Sequence, residues 1–321
     1  MRFAFTDDQL LFADGLRDLL TKEFAAADLR TLWEDGRAHS PALWQQLADM
    51  GVIGVLAPED AGGMGLGMVD AILLFEQLGY AAVPGPVIES MAVVIPALAG
   101  DPSTIETAGR IAGGKLVATA AIEASPYVAH ASVSGAVLTA DGLVTGYATE
   151  DVHGIDAGRS LATITGGDVS PVGFDVDAAF DRGALATAAY LVGTSQRMID
   201  IAADYARQRE QFGKPIGSFQ AVKHLLADAL LKVEFARPAV YAAAWELTTD
   251  APTARRSVSM AKTFASDAAY RTTRTTMQVH GGIGYTWEAD LQLWMKKAWA
   301  LQRSYGDATF HRRRAATSIL G

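Results

Sequence analysis

Apolar residues recur at two different spacings along the chain, and the change of spacing divides it into three. From 10 to 20, Leu10, Leu11, Ala13, Leu16, Leu19 and Leu20 return every three or four residues, the mark of a helix with one buried face. Thr6 is placed to cap that helix, and Asp7 and Asp8 fall in its first turn, where negative charge suits the helix dipole. Ser40-Pro41 predicts a second start, a cap followed by proline at the first helical position, and Gly51 a stop. Residues 58–67 are glycine-rich and read as a loop. A helix over 68–78 follows, and Pro84-Gly85-Pro86 separates it from another over 87–98.

The spacing shortens after Lys115. The run 116–122 and the stretches 137–144, 161–165 and 172–176 read as strands, with Asp141-Gly142 a hairpin turn. Helical spacing resumes near Gly183. One long helix carries Leu185, Ala188, Val192, Ile199, Ala202 and Ala206; others run over about 219–247 and 253–280. A fourth starts near Glu288 and carries Leu291, Trp294, Met295, Ala298 and Leu301. The expected architecture is mostly α: an N-terminal helical domain (1–113), a reduced middle β domain (114–180) and a C-terminal four-helix bundle (181–321).

Composition narrows the chemistry. The 321 residues include no cysteine, which excludes disulfides, iron–sulfur clusters, thiolate zinc sites and a cysteine nucleophile. A net charge of -9 argues against a nucleic-acid surface. Acidic residues through the first twenty argue against a signal peptide, no apolar run is long enough to span a membrane, and the cytoplasm is the expected location. Glu150-Asp151-Val152-His153 has the spacing of a di-iron element but lies outside the helices and has no second copy, so it reads as a solvated loop and no metal is expected. Arg312, Arg313 and Arg314 read as a solvated helix end.

Two segments carry specific chemistry. Arg209-Glu210-Gln211-Phe212-Gly213-Lys214-Pro215-Ile216 joins two long helices; an arginine there can fork onto a phosphate while a phenylalanine packs on a flat heterocycle. Gln278-Val279-His280-Gly281-Gly282-Ile283-Gly284-Tyr285 ends the next helix with glycines that admit a ligand to the backbone. Together with Gln220, Leu47-Ala48-Asp49-Met50-Gly51, residues 58–65 and Glu76-Gln77-Leu78-Gly79, these segments make the chain resemble the acyl-CoA dehydrogenase family over almost its whole length. The resemblance implies a dimer of dimers in which FAD lies across a subunit interface. Arg209, Phe212, Gln220, Gln278, Gly281 and Gly282 then match the positions that reach the cofactor held mainly by the neighbour.

The same resemblance exposes departures. The family's reaction takes the α-proton of an acyl-CoA thioester with a carboxylate and passes a β-hydride to the flavin. The usual glutamate position is occupied by Gly306, within Ser304-Tyr305-Gly306-Asp307-Ala308-Thr309-Phe310. The threonine and glutamine that would grip the subunit's own FAD correspond to Ala308 and Phe310. The alternative position on the first bundle helix falls near Gly183, beside Asp181 and Arg182. Asp307 is the one neighbouring carboxylate, rotated by about 100° if the segment is helical. The flavin-clasping segments of the middle domain are not found; Thr149-Glu150-Asp151 begins one but His153-Gly154-Ile155-Asp156 does not continue it. The resemblance is therefore to the shorter subunit of a heterotetrameric dehydrogenase of the steroid side-chain type. The implied partners are a longer homologous subunit bearing the base, an acyl-CoA substrate and an electron acceptor. An autonomous homotetramer using Asp307, and a non-enzymatic acyl-CoA-binding scaffold, are the alternatives.

Overall fold

The computed structural model describes residues 4–321. Residues 1–3, part of the segment considered above for a signal peptide, lie outside the described residues. Helix α1 (Asp7–Glu23) opens on Thr6, whose hydroxyl accepts from the Gln9 N–H while the Gln9 amide oxygen accepts from the Thr6 N–H. Its buried residues are Ala13, Leu16 and Leu20; Leu10 and Leu11 stay exposed. The N-terminal domain continues with α2 (Ala26–Glu34), α3 (Pro41–Asp49, capped by Ser40), α4 (Met68–Tyr80), α5 (Ile95–Ala99) and α6 (Ile105–Ala112). The helix expected over 87–98 is instead a π-helical turn, Glu89–Val94, running into α5, with the Ile95 N–H reaching Ser90 O. Pro96 explains the widening, since its ring has no N–H to give and would clash with a carbonyl four residues back.

The middle region forms two small sheets. Strands β1 (Ala118–Ala121), β3 (Ala136–Thr139), β4 (Gly142–Thr145) and β7 (Asp168–Ser170) lie in the order β1-β3-β4-β7, parallel only between β1 and β3. Strands β2 (Val128–Ala129), β6 (Leu161–Thr165) and β5 (Ala148–Val152) make the second, in the order β2-β6-β5. The β3–β4 turn is Ala140-Asp141, one residue earlier than expected. Gly142 pairs with Thr139 and packs so closely on β7 that a Cβ there would lie 2.2 Å from Ser170 O. The strand expected over 172–176 is absent. Pro171 has no N–H for a ladder, and Asp175 caps the next helix by accepting from Ala178 N–H at 3.0 Å. The Glu150-to-His153 segment lies largely on β5, an exposed strand rather than a loop.

The bundle consists of α7 (Val176–Gln208), α8 (Gln220–Thr248), α9 (Ala254–His280) and a fourth element broken in two, α10 (Leu291–Leu301) and α11 (Ala308–Leu320). Helix α7 starts seven residues before the periodicity near Gly183 suggested. The Arg312-to-Arg314 run is not uniformly solvated, because Arg314 forks onto the buried carboxylate of Asp181 on α7. Tyr190 donates to Val83 O at 2.8 Å, tying α7 to the end of α4. Along the same seam the backbones touch. A Cβ at Gly79 would lie 2.0 Å from Tyr190 O, and one at Gly193 1.9 Å from Glu76 O. One continuous core therefore runs from α1 through α4 and α7 to α10. Gly193→Ala should lower stability by about 1–3 kcal/mol or more through forced separation of the two helices. Chemical denaturation would check this, and an unchanged midpoint would show that the seam gives way freely.

Candidate functional site

Two places in the fold hold the chemistry, and they lie far apart. The first is the end of the bundle where α7, α8 and α9 converge. Ala202, Ala206 and Val279 pack there with Ile216, Val222 and Leu226, and the Tyr205 and His280 rings stack at 4.4 Å. This packing brings the two sequence segments together. Arg209 ends α7, its N–H bonded to Tyr205 O, and its guanidinium makes no ion pair among the described residues. A short hairpin, β8 (Glu210–Gln211) and β9 (Lys214–Pro215), carries Phe212 at its tip with φ +55° and its ring 93 % exposed. Gln220, Gln278, Gly281 and Gly282 are all exposed on the same end. Gly281 has φ +63° and ψ -140°, a conformation reserved for glycine, and a Cβ at Gly281 or Gly282 would meet nothing within 4 Å. Tyr285 and Trp287 stand beside them, 79 % and 65 % exposed. A solvated aromatic ring, an unpaired guanidinium and an open glycine backbone suit the flat heterocycle and phosphates of a nucleotide.

The second place is the break between α10 and α11. Gly306 has φ +85°, and a Cβ there would lie 2.5 Å from the Phe310 ring and 3.0 Å from His311 Nε2. A longer side chain has no room without rebuilding the turn. Asp307 is the N-cap of α11. Its carboxylate accepts from Phe310 N–H at 2.8 Å, and that bond draws its pKa below the usual carboxylate range. An exposed, stabilised anion of this kind is a weak proton acceptor. Asp181, beside the alternative position near Gly183, is spent on Arg314.

The break is held from below by groups not anticipated from sequence. Lys262, fully buried on α9, donates to Gln302 O at 3.1 Å and Gly306 O at 3.0 Å, with Leu301 O and Ser266 Oγ at 3.3 Å. Burial pulls its pKa down to about 7 against support from Glu123. His311 lies between Tyr305 O, 2.7 Å from Nε2, and Ser259 Oγ, 3.2 Å from Nδ1. A carbonyl only accepts, so Nε2 carries the hydrogen, and burial pulls this ring down to about 4. From above, Glu123 at the end of β1 accepts from Tyr305 N–H at 2.7 Å. Arg159 donates to Glu89 at 2.7 Å and to Ser304 Oγ at 3.0 Å. These groups border a cavity of about 740 Å³ between the β region and α10, whose apolar wall includes Tyr127, Ile155, Leu161 and Trp299. Signals for them exist in the sequence. Glu123 directly follows an apolar strand, and Lys262 sits in phase with the inward Val258, Ala261 and Ala265 of α9.

Geometry separates the two places. Ser259, bonded to His311 at the break, and Gln278, at the exposed end, are nineteen residues apart on α9, about 28 Å of helix.

Residues 6–102 match the model of the acyl-CoA dehydrogenase N-terminal domain, and residues 173–320 match that of the C-terminal domain. The chain belongs to the acyl-CoA dehydrogenase family. Members of this family are FAD-carrying oxidoreductases acting on CH–CH bonds. Acyl-CoA dehydrogenase IpdE2 of Mycolicibacterium smegmatis is 32% identical over 299 residues, covering 91% of this chain and 93% of that one. The ChsE4–ChsE5 complex of Mycobacterium tuberculosis superimposes with a TM-score of 0.89 at 25% identity, over 100% of this chain and 99% of the other. Butyryl-CoA dehydrogenase of Megasphaera elsdenii shares the fold at a TM-score of 0.89 and 20% identity, over 100% of both chains. The expected resemblance to a short steroid-type subunit stands with these relatives. No described helix is long and apolar enough to cross a membrane.

The chain carries a testable mark of its buried lysine. Lys262 falls from 10.5 to about 7 on folding, so between those values the unfolded chain binds more protons and stability rises with pH. Unfolding free energy measured at pH 7, 8 and 9 should climb by up to about 1.4 kcal/mol per unit. In Lys262→Met this climb should disappear; equal slopes in both proteins would refute the assignment.

Proposed function

We propose that this chain is the FAD-completing subunit of a heteromeric acyl-CoA dehydrogenase, paired with a longer homologue that holds the flavin ring and the catalytic carboxylate. The observation that carries the reading is the roughly 28 Å of α9 between the nucleotide-suited end and the residue-306 segment. Arg209, Phe212, Gln220, Gln278, Gly281 and Gly282 face outward, away from this chain's own cavity, so they are placed to serve a neighbour. Arg209 would pair with phosphate, Phe212 would cover one face of a heterocycle, and the Gly281-Gly282 backbone would admit the cofactor closely. When bound, FAD supplies the hydride acceptor. Gly306, the capped Asp307 and the committed Asp181 leave no free carboxylate at either position the family uses. The ChsE4–ChsE5 relative is a complex of two named proteins, which favours a two-chain assembly here.

Co-purification with the longer homologue and a flavin count per chain pair test the proposal. Arg209→Ala should weaken flavin retention roughly tenfold or more, the worth of a charge-assisted contact. Unchanged flavin content would favour the scaffold alternative. Asp307→Asn, which keeps the helix cap, should leave turnover within about twofold of the parent; abolished turnover would mean that the chain works as an autonomous dehydrogenase.

A further inference from the structure

The cavity beside the α10–α11 break contains a carboxylate that neither family position would place there. Glu123 reaches in from the end of β1 and meets the backbone of Tyr305, next to Gly306. Its Oε2 accepts from Tyr305 N–H at 2.7 Å, the one hydrogen bond of this carboxylate among the described residues, and the side chain lines the cavity. Arg159 stands at the same end, its guanidinium bonded to Glu89 at 2.7 Å and to Ser304 Oγ at 3.0 Å. Tyr127, Ile155, Leu161 and Trp299 supply an apolar stretch of the wall; Arg303 also lines it, as does Asp156, whose carboxylate is paired with Lys297 at 2.9 Å, and about 740 Å³ is enough for a compact acyl group.

We propose that Glu123 is a proton-transfer residue, supplying from the middle domain the carboxylate absent at Gly306, and that the cavity of this chain takes the acyl end of a thioester. The thioester as ligand rests on the functional reading above; the carboxylate's placement does not. Burial raises the carboxyl's pKa, partly offset by Arg159, which makes it a better base than a solvated one. The step involves no redox change. A Glu123 oxygen takes the α-proton, the C–H electron pair forms the enolate double bond, and the carbonyl oxygen gains the negative charge facing Arg159. Return of a proton from the carboxyl restores the thioester, so in heavy water the α-hydrogen is replaced by deuterium with no flavin consumed.

The test uses the purified full chain and phenylacetyl-CoA in heavy water, with α-deuteration followed by proton NMR. Glu123→Gln keeps an acceptor for Tyr305 N–H and should retain the melting temperature, while exchange falls by about 100-fold. Glu150→Gln, on the exposed strand β5, should exchange as the parent does. Should the glutamine variant misfold, Glu123→Asp keeps the charge but withdraws it by one methylene, and its exchange should also drop. No exchange above background in the parent, or equal exchange in the Gln or Asp variant, overturns the proposal. Failure here leaves flavin retention in the Arg209→Ala assembly intact as a separate readout, so the two readings fall independently.

Discussion

A single ammonium group, that of Lys262, organises the part of the bundle where chemistry would be expected. It sits in a place with no solvent, where burial brings its pKa down to about 7, and the carbonyls ending α10 converge on it. Four-helix bundles ordinarily run their helices through. Here the fourth is interrupted, and the interruption leaves unpaired backbone groups on both sides. The Lys262 amine satisfies the carbonyls and the Glu123 carboxyl satisfies the Tyr305 N–H, so two ionisable groups meet through a peptide turn rather than directly. His311, kept neutral by its surroundings, closes the remaining side.

That arrangement bears on how one chain can resemble its relatives so fully in outline and still differ from the expected pattern around residue 306. The long helices and their seam are set by packing of small residues, and Gly79 and Gly193 let α4 and α7 meet backbone to backbone. The break touches α7 elsewhere, where Tyr305 packs on Gly183. The far end of α9, with its open glycine pair and the exposed phenylalanine of the neighbouring hairpin, lies about 28 Å of helix away from this turn.

Much of this was legible in the sequence, for identifiable reasons. Helical periodicity in α7, α8 and α9 is strong because each buries a continuous stripe, and the two glycine-bearing segments stand out because few backbones need those residues there. The errors have physical causes too. Pro96 turned an expected helix into a π-turn, and Pro171 with Asp175 turned an expected strand into a helix cap. Leu10 and Leu11 share the helical spacing of α1 but face solvent. The roles of Lys262 and Glu123 at the break were not read from the sequence because decisive partners of theirs lie 39 and 182 residues away. A lone lysine in an apolar stripe, or a glutamate after a strand, announces burial only once the fold supplies what it touches.

Gly306 also says something about history. Its left-handed backbone and the Phe310 ring pressed against it mean that a codon change to glutamate would not by itself be accommodated. The turn, the aromatic packing and the lysine beneath would all have to change together. Such a position behaves as a ratchet: once the surroundings have closed over a glycine, a larger side chain cannot return by a single substitution.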